Sequence, residues 1–311
     1  MAFVVQRANR NFDRLDHIGV TDDTTFHDFE LSEYSNIQRT IEKIAPDEVY
    51  NLAAQSFVGS SFEAPIYTVD VNALGTLRIL ETIRVANAKT RFYQASTSEM
   101  FGGSPPPQDE DTAFRPRSPY ANAKLLGHWA VVNHREGFNM FACSGILFNH
   151  ESPLRGTEFV TRKITTSLAR IAAGTQDVLL LGNLDATRDW GFAGDYVEGM
   201  WRMLNAKKPG TYVLATGKGF SVRHFMEAAA KCLDWEIEWS GKGLKEVGRN
   251  KKTGKALVRI NPQFYRPTEV PALLGSAKKA KAELGWKPQV NFRQLVEMMM
   301  ESDLRQLGRH K

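Results

Sequence analysis

The apolar positions of this chain change period as they run. Short, nearly continuous apolar runs at 2–8 (AFVVQRA), 48–56 (EVYNLAAQS), 91–97 (RFYQAST) and 140–148 (MFACSGILF) predict buried strands of a parallel sheet. A briefer strand is expected at 24–30 (TTFHDFE). Between these runs the spacing turns helical. Ile37, Ile41 and Ile44 form a stripe over 35–44 that Pro46 ends, while Val69, Val71, Leu74, Leu77, Leu80 and Ile83 mark one long helix over 65–86, interrupted only by Gly75. Pro119 suits the first turn of the next helix. Such alternation predicts an α/β fold built on a doubly wound parallel sheet.

Beyond about residue 156 the pattern continues with shorter elements. A helix is expected over 159–173, a strand at 177–183, a strand at 211–216 and a helix capped by Ser221. RDWG (188–191) leads into a helix whose apolar face, Tyr196, Met200, Trp201 and Leu204, belongs in a core. SAKKAKAELG (276–285) reads as a short helix stopped by glycine, and Asn291 as the cap of a helix carrying Phe292, Leu295, Val296 and Met299. The segment 102–119, rich in Gly, Pro and Asp, predicts a loop over a site. Residues 241–255 hold six Lys or Arg among fifteen. Two readings stay open there, a solvated loop or basic groups converging on a diphosphate.

Composition narrows the function classes. With 311 residues and 42% hydrophobic content the chain can bury a sizeable core in one large domain or two smaller ones. Its 40 Lys and Arg against 35 Asp and Glu leave a formal +5, which suits an anionic ligand but is too diffuse for nucleic acid. No apolar run reaches the roughly 18 residues a membrane helix needs, and no signal peptide opens the sequence. Cys143 and Cys232 are expected to be reduced, buried thiols, which points to the cytosol.

The candidate chemistry centres on 96–156. Tyr120 and Lys124 stand four residues apart on a helix, so they share a face, and an ammonium beside a phenol favours the phenolate, a general base near neutral pH. Thr97 and Glu99 follow the strand 91–97, and ligands of open α/β sheets lie beyond the carboxyl ends of strands. Asn149, His150 and Glu151 follow the strand 140–148 and read as site residues for the same reason. The small pair Ala53 and Ala54 lets backbone approach a ligand. Arg7 and Arg10 close the opening strand where an adenosine ribose would lie, which favours a 2′-phosphate and hence NADP. No metal-ligand spacing is present.

STSE, YANAK, GILFNHESPLRG, FVTRK, RDWG and FYRPTEV, in this order and spacing, resemble the GDP-mannose 4,6-dehydratases of the extended short-chain dehydrogenase/reductase family. The resemblance implies a Rossmann-like doubly wound sheet with a smaller C-terminal lobe: residues 1–156 for NADP, 157–311 mainly for the nucleotide sugar, with segments returning to the first domain. It implies conversion of GDP-mannose to GDP-4-dehydro-6-deoxy-mannose, for GDP-deoxysugar synthesis, by a cytoplasmic homodimer or homotetramer that binds neither membrane nor nucleic acid. Thr97, Glu99, Tyr120 and Lys124 are then catalytic. Asp28, Phe29, Leu52, Ala53, Ala54, Gln55, Ser56, Tyr67, Lys124, His150 and Arg155 join Arg7 and Arg10 on the cofactor. Asn149, Glu151, Lys163, Arg188, Arg223, Arg249, Arg266 and Glu269 face the nucleotide sugar. The family pattern opens with a strand, a glycine-rich turn and a helix that the first residues here do not show, so the expectation is a sheet lacking its first strand, low stability and weak activity. Two other readings stay open, a related nucleotide-sugar reductase or epimerase and a non-catalytic binding remnant.

Overall fold

The computed structural model describes residues 2–4, 12–87 and 89–308. Its strands are β1 (Ala2–Val4), β2 (Phe26–Asp28), β3 (Glu48–Asn51), β4 (Arg91–Thr97), β5 (Ala142–Leu147), β6 (Asn149–Glu151), β7 (Leu179–Leu181), β8 (Thr187–Phe192), β9 (Thr211–Leu214), β10 (Gly219–Ser221), β11 (Ile237–Ser240), β12 (Val247–Asn250), β13 (Ala256–Ile260) and β14 (Ala272–Leu273). The helices are α1 (Asp13–Ile18), α2 (Tyr34–Ile44), α3 (Ser60–Glu63), α4 (Pro65–Val69), α5 (Gly75–Ala86), α6 (Pro119–Gly137), α7 (Val160–Ala172), α8 (Ala193–Leu204), α9 (Val222–Lys231), α10 (Lys278–Leu284) and α11 (Phe292–Gly308). The chain forms an α/β fold of two compact units, and neither is a single stretch of sequence. Unit 1 takes residues 1–97, 118–145 and 200–211, and unit 2 takes 98–117, 146–199 and 212–311.

In unit 1, β1 and β2 form one parallel pair and β3 and β4 another. Its core joins Ile37 and Ile41 of α2, Ile79, Leu80 and Ile83 of α5, Phe92 of β4 and Val131 of α6. The helical region 65–86 is not one regular helix. A π-helical turn over Asp70–Leu74 separates α4 from α5, and Val69, Leu74 and Leu77 of the expected stripe are exposed. Asn72 lies inside that turn and is buried. Its amide accepts the Gln55 N–H at 2.8 Å and donates to the Gln55 carbonyl at 2.9 Å, so the wide turn fixes the segment after β3.

In unit 2, one sheet has the order β10-β8-β14 with β6 on β8, and another the order β11-β12-β13-β7. Trp190, Phe225, Leu295, Val296 and Met299 are among the residues of its core. The caps act as the residue types predict. Ser221 and Asn291 accept the N–H groups of His224 and Gln294, each at 3.1 Å, and Gly285 ends α10 at φ 63°. The basic stretch 241–255 is not a loop throughout, since β12 pairs with both β11 and β13. RDWG lies within β8 and leads directly into α8. Two burial expectations also change: Cys232 is exposed, as is Trp201, whereas Cys143, Tyr196, Met200 and Leu204 are buried.

Candidate active site

In unit 1, Ser118 caps α6 by accepting the Ala121 N–H at 3.1 Å, and Pro119 follows at the first helical position, where no N–H is needed. This start sets Tyr120 and Lys124 one turn apart, and both are buried. The Lys124 ammonium donates to the Ala95 carbonyl of β4 at 3.0 Å. Burial lowers its pKa to about 8. A buried ammonium with one such bond keeps further N–H donors, which suits the hydroxyls of a ribose. Thr97, two residues beyond Ala95 and buried, ends the strand.

The segment 52–56 follows the carboxyl end of β3. Leu52, Ala53 and Ser56 are exposed, and Ala54 and Gln55 half-buried. Asn72 holds both the N–H and the carbonyl of Gln55, so the small residues present backbone from a fixed loop. Asp28 ends β2 exposed, Phe29 is buried in the core, and Tyr67 is exposed on α4. Arg7 and Arg10 lie outside the described residues.

In unit 2, Glu99 sits in a short 3-10 turn (Ser98–Met100) and is buried. Arg266 reaches its carboxylate at 3.3 Å, and the Arg266 N–H donates to Glu269 at 3.1 Å. Arg188 joins this group: burial lowers its pKa, while the charges of Glu99 and Glu269 act to raise it. Glu99, Arg188, Arg266 and Glu269 thus form one charged cluster. Lys163 rests its ammonium 3.2 Å from the centre of the Phe264 ring, two residues before Arg266, and burial lowers its pKa to about 8.

A second group follows β5. His150 donates its Nδ1–H to the Phe148 carbonyl at 2.9 Å and stacks on Tyr196 with ring centres 4.9 Å apart. Burial lowers the His150 pKa. Asn149, half-buried, precedes it on β6. Glu151 is buried; it accepts from the Thr161 hydroxyl at 2.6 Å and faces Arg155 at 3.3 Å, whose guanidinium lies over Phe159. Arg223 and Arg249 are engaged differently. Arg223 pairs with Glu246 at 2.7 Å and Asp185 at 3.0 Å, and Arg249 donates to the Gly254 carbonyl in the β12–β13 turn.

The segment 102–119 is pinned rather than loose. Gln108 is buried and donates its backbone N–H to Leu274 while its carbonyl accepts from Ser276, each at 2.8 Å; Glu110 accepts the Val213 N–H at 2.6 Å. Gly102 turns at φ 47°, and a side chain there would strike the Arg115 carbonyl. Sequence reasoning passed over Asn72 and Phe264. Asn72 left a signal, a poor helix former inside a helical apolar stripe. Among the described residues no group of three or more His, Cys, Asp or Glu is arranged to hold a metal ion, and no helix is long and apolar enough to cross a membrane.

Residues 1–299 match the family model described as GDP-mannose 4,6 dehydratase. The chain is 54% identical over 281 residues to the GDP-mannose 4,6 dehydratase of Drosophila melanogaster, covering 89% of this chain and 71% of that one. It is 49% identical over 314 residues to GDP-mannose 4,6 dehydratase 2 of Arabidopsis thaliana, covering 98% and 80%. Among solved structures, RMD from Pseudomonas aeruginosa complexed with NADPH superposes with a TM-score of 0.77 at 21% identity, covering 94% and 95%. A dTDP-glucose 4,6-dehydratase from Bacillus anthracis in complex with NAD gives 0.78 at 18%, covering 96% and 86%. These two likenesses show a shared Rossmann-like fold.

Proposed function

The chain belongs to the GDP-mannose 4,6-dehydratase family, and from that premise we propose that it converts GDP-mannose to GDP-4-dehydro-6-deoxy-mannose with NADP as its resident cofactor. The donor set of Lys124 and the fixed small-residue segment 52–56 fit a dinucleotide. When bound, NADP supplies a hydride acceptor for C4 of the sugar and a hydride donor for C6. Tyr120 takes the proton of the C4 hydroxyl, and the Lys124 ammonium favours its phenolate form. Thr97 hydrogen-bonds the C4 oxygen. Once C4 is a ketone the C5 proton is acidic, and Glu99 removes it; the same carboxyl then protonates the departing C6 hydroxyl, which leaves as water, and, reprotonated through solvent as Tyr120 releases the proton it took, returns a proton to C5.

The buried Glu99 carboxylate carries this reading. A reductase working at C4 needs a tyrosine and a lysine but no carboxylate two residues past the strand end, whereas elimination needs a base for C5. Arg266 pairs with that carboxylate at 3.3 Å. Arg188, Arg266, Glu269, Lys163 and Asn149 are assigned to the nucleotide sugar, Arg223 and Arg249 on resemblance alone; His150, with Arg155 held by Glu151, is assigned to the cofactor side. We also assign a cytoplasmic homo-oligomer. What supports the oligomer is an exposed apolar patch of unit 1 where Leu77, Leu126 and Trp129 lie together. Incubation of the purified protein with GDP-mannose and NADP should yield the 4-keto sugar, detected by mass spectrometry as loss of one water. Recovery of unchanged GDP-mannose overturns the assignment.

A further inference from the structure

The stripe that carries Tyr120 and Lys124 has a third member one turn further on. His128 is buried on α6, and its Nδ1 lies 2.8 Å from the Ser144 hydroxyl of β5, which in turn lies 2.8 Å from the Ser96 hydroxyl of β4. Ser96 also approaches Nδ1 directly, at 3.4 Å. Ser96 is the residue after Ala95, whose carbonyl holds Lys124. Two residues of α6 one turn apart therefore grip two consecutive residues of β4.

We propose that His128 is a positioning residue for the Tyr120–Lys124 pair, fixing the rotation and register of α6 on the end of β4 so that the ammonium stays on the face it shares with the phenol. One bond from a flexible lysine to a carbonyl leaves the helix free to turn about its axis, because the four-carbon stem adjusts. A second attachment at a different residue removes that freedom. The imidazole suits the task because it is short, rigid and neutral here: burial lowers its pKa to about 4, and the charge of Arg135, further along α6, acts in the same direction. The pair of serines between helix and strands completes a buried polar network in which each hydroxyl can donate and accept.

The inference rests on Tyr120 being the base, and its test reads that tyrosine without substrate. His128→Phe keeps a ring of similar size and removes the hydrogen bond, while His128→Asn places an amide near the Nδ1 position. Phenolate absorbance is titrated for each protein against the same protein carrying Tyr120→Phe, so that the difference isolates Tyr120. In His128→Phe the Tyr120 midpoint should rise by about one pH unit, a roughly tenfold loss of phenolate near neutrality, and His128→Asn should recover most of it. Ser144→Ala, a smaller change, should shift the midpoint in the same direction and keeps the test available if the Phe variant does not fold. With GDP-mannose, the Phe variant should lose kcat with KM nearly unchanged. Lower thermal midpoints with an unmoved Tyr120 titration would make His128 merely structural and overturn the proposal. A wild type that titrates as expected yet leaves GDP-mannose intact would instead overturn the assigned reaction and leave the positioning role supported.

Discussion

Lys124 shows how a residue that is unfavourable for the fold can still be the one proposed for the site. Its folded pKa, about 8, lies below that of a free lysine, so between about 8 and 10.5 the unfolded chain binds the extra proton. Stability should therefore rise with pH across that window, and the cost of the buried charge is fully present below it. Lys124→Met is expected to hold or raise the thermal midpoint at neutral pH, the relieved charge contributing at most on the order of 3 kcal/mol against the lost Ala95 bond, while turnover disappears. A clear fall in the midpoint would count against this account. Tyr120 and Glu99 separate at the same scale. Tyr120→Phe should prevent formation of reduced cofactor and lower turnover by on the order of a hundredfold. Glu99→Gln should still oxidise C4 and stall, so that single-turnover absorbance shows NADPH accumulating. Release of dehydrated sugar by Glu99→Gln at the normal rate would remove the carboxylate from the mechanism.

Among the elements, α11 reaches the segment after β6 through a buried ion pair. Asp303 takes the Arg162 guanidinium of α7 in three bonds of 2.6, 3.0 and 3.1 Å, and the same guanidinium donates to the carbonyls of Pro153 and Arg155. Removing one partner of such a pair strands a buried charge, so Asp303→Asn should cost about 3 kcal/mol in urea unfolding and loosen Arg155. An unchanged urea midpoint would show the pair to be dispensable. Neither partner was legible in the sequence, because Arg162 and Asp303 lie 141 positions apart and each looks like an ordinary helix surface residue. Elements defined by local chemistry were legible: β4 and β5 by their continuous apolar runs, α6 by Pro119, α9 and α11 by their caps. The hairpin of β12 and β13 was not, since its glycines and lysines favour a loop and only pairing with β11 and β7 makes it sheet. The placement of Tyr120 and Lys124 on one helix and of Thr97 at a strand end could be read from spacing and apolar runs. The bonds of Asn72 to Gln55 and of His128 to Ser144 could not, because a polar residue in an apolar stripe does not name its partner.

For the whole molecule, the apolar face through Leu77, Leu126 and Trp129 bears on assembly. Leu126→Glu should convert the protein from a dimer or larger species to monomer in light scattering, since it places a charge in the centre of that face. A wild type that is already monomeric would remove this face from the account of assembly. The interleaving of the two units has a consequence for synthesis. Unit 1 draws on residues up to 211, so its first 97 residues must wait for α6, β5 and the start of β9. At ordinary translation speeds that wait lasts roughly ten seconds. For its first few seconds, until residue 142 has been made, Phe29, Ile37 and Leu80 lack Val131, Met140 and Ala142, the partners that complete their cluster. The nascent chain thus presents apolar surface to the cell well before it can bury it, and that interval, more than the finished fold, is where a chaperone would decide the yield.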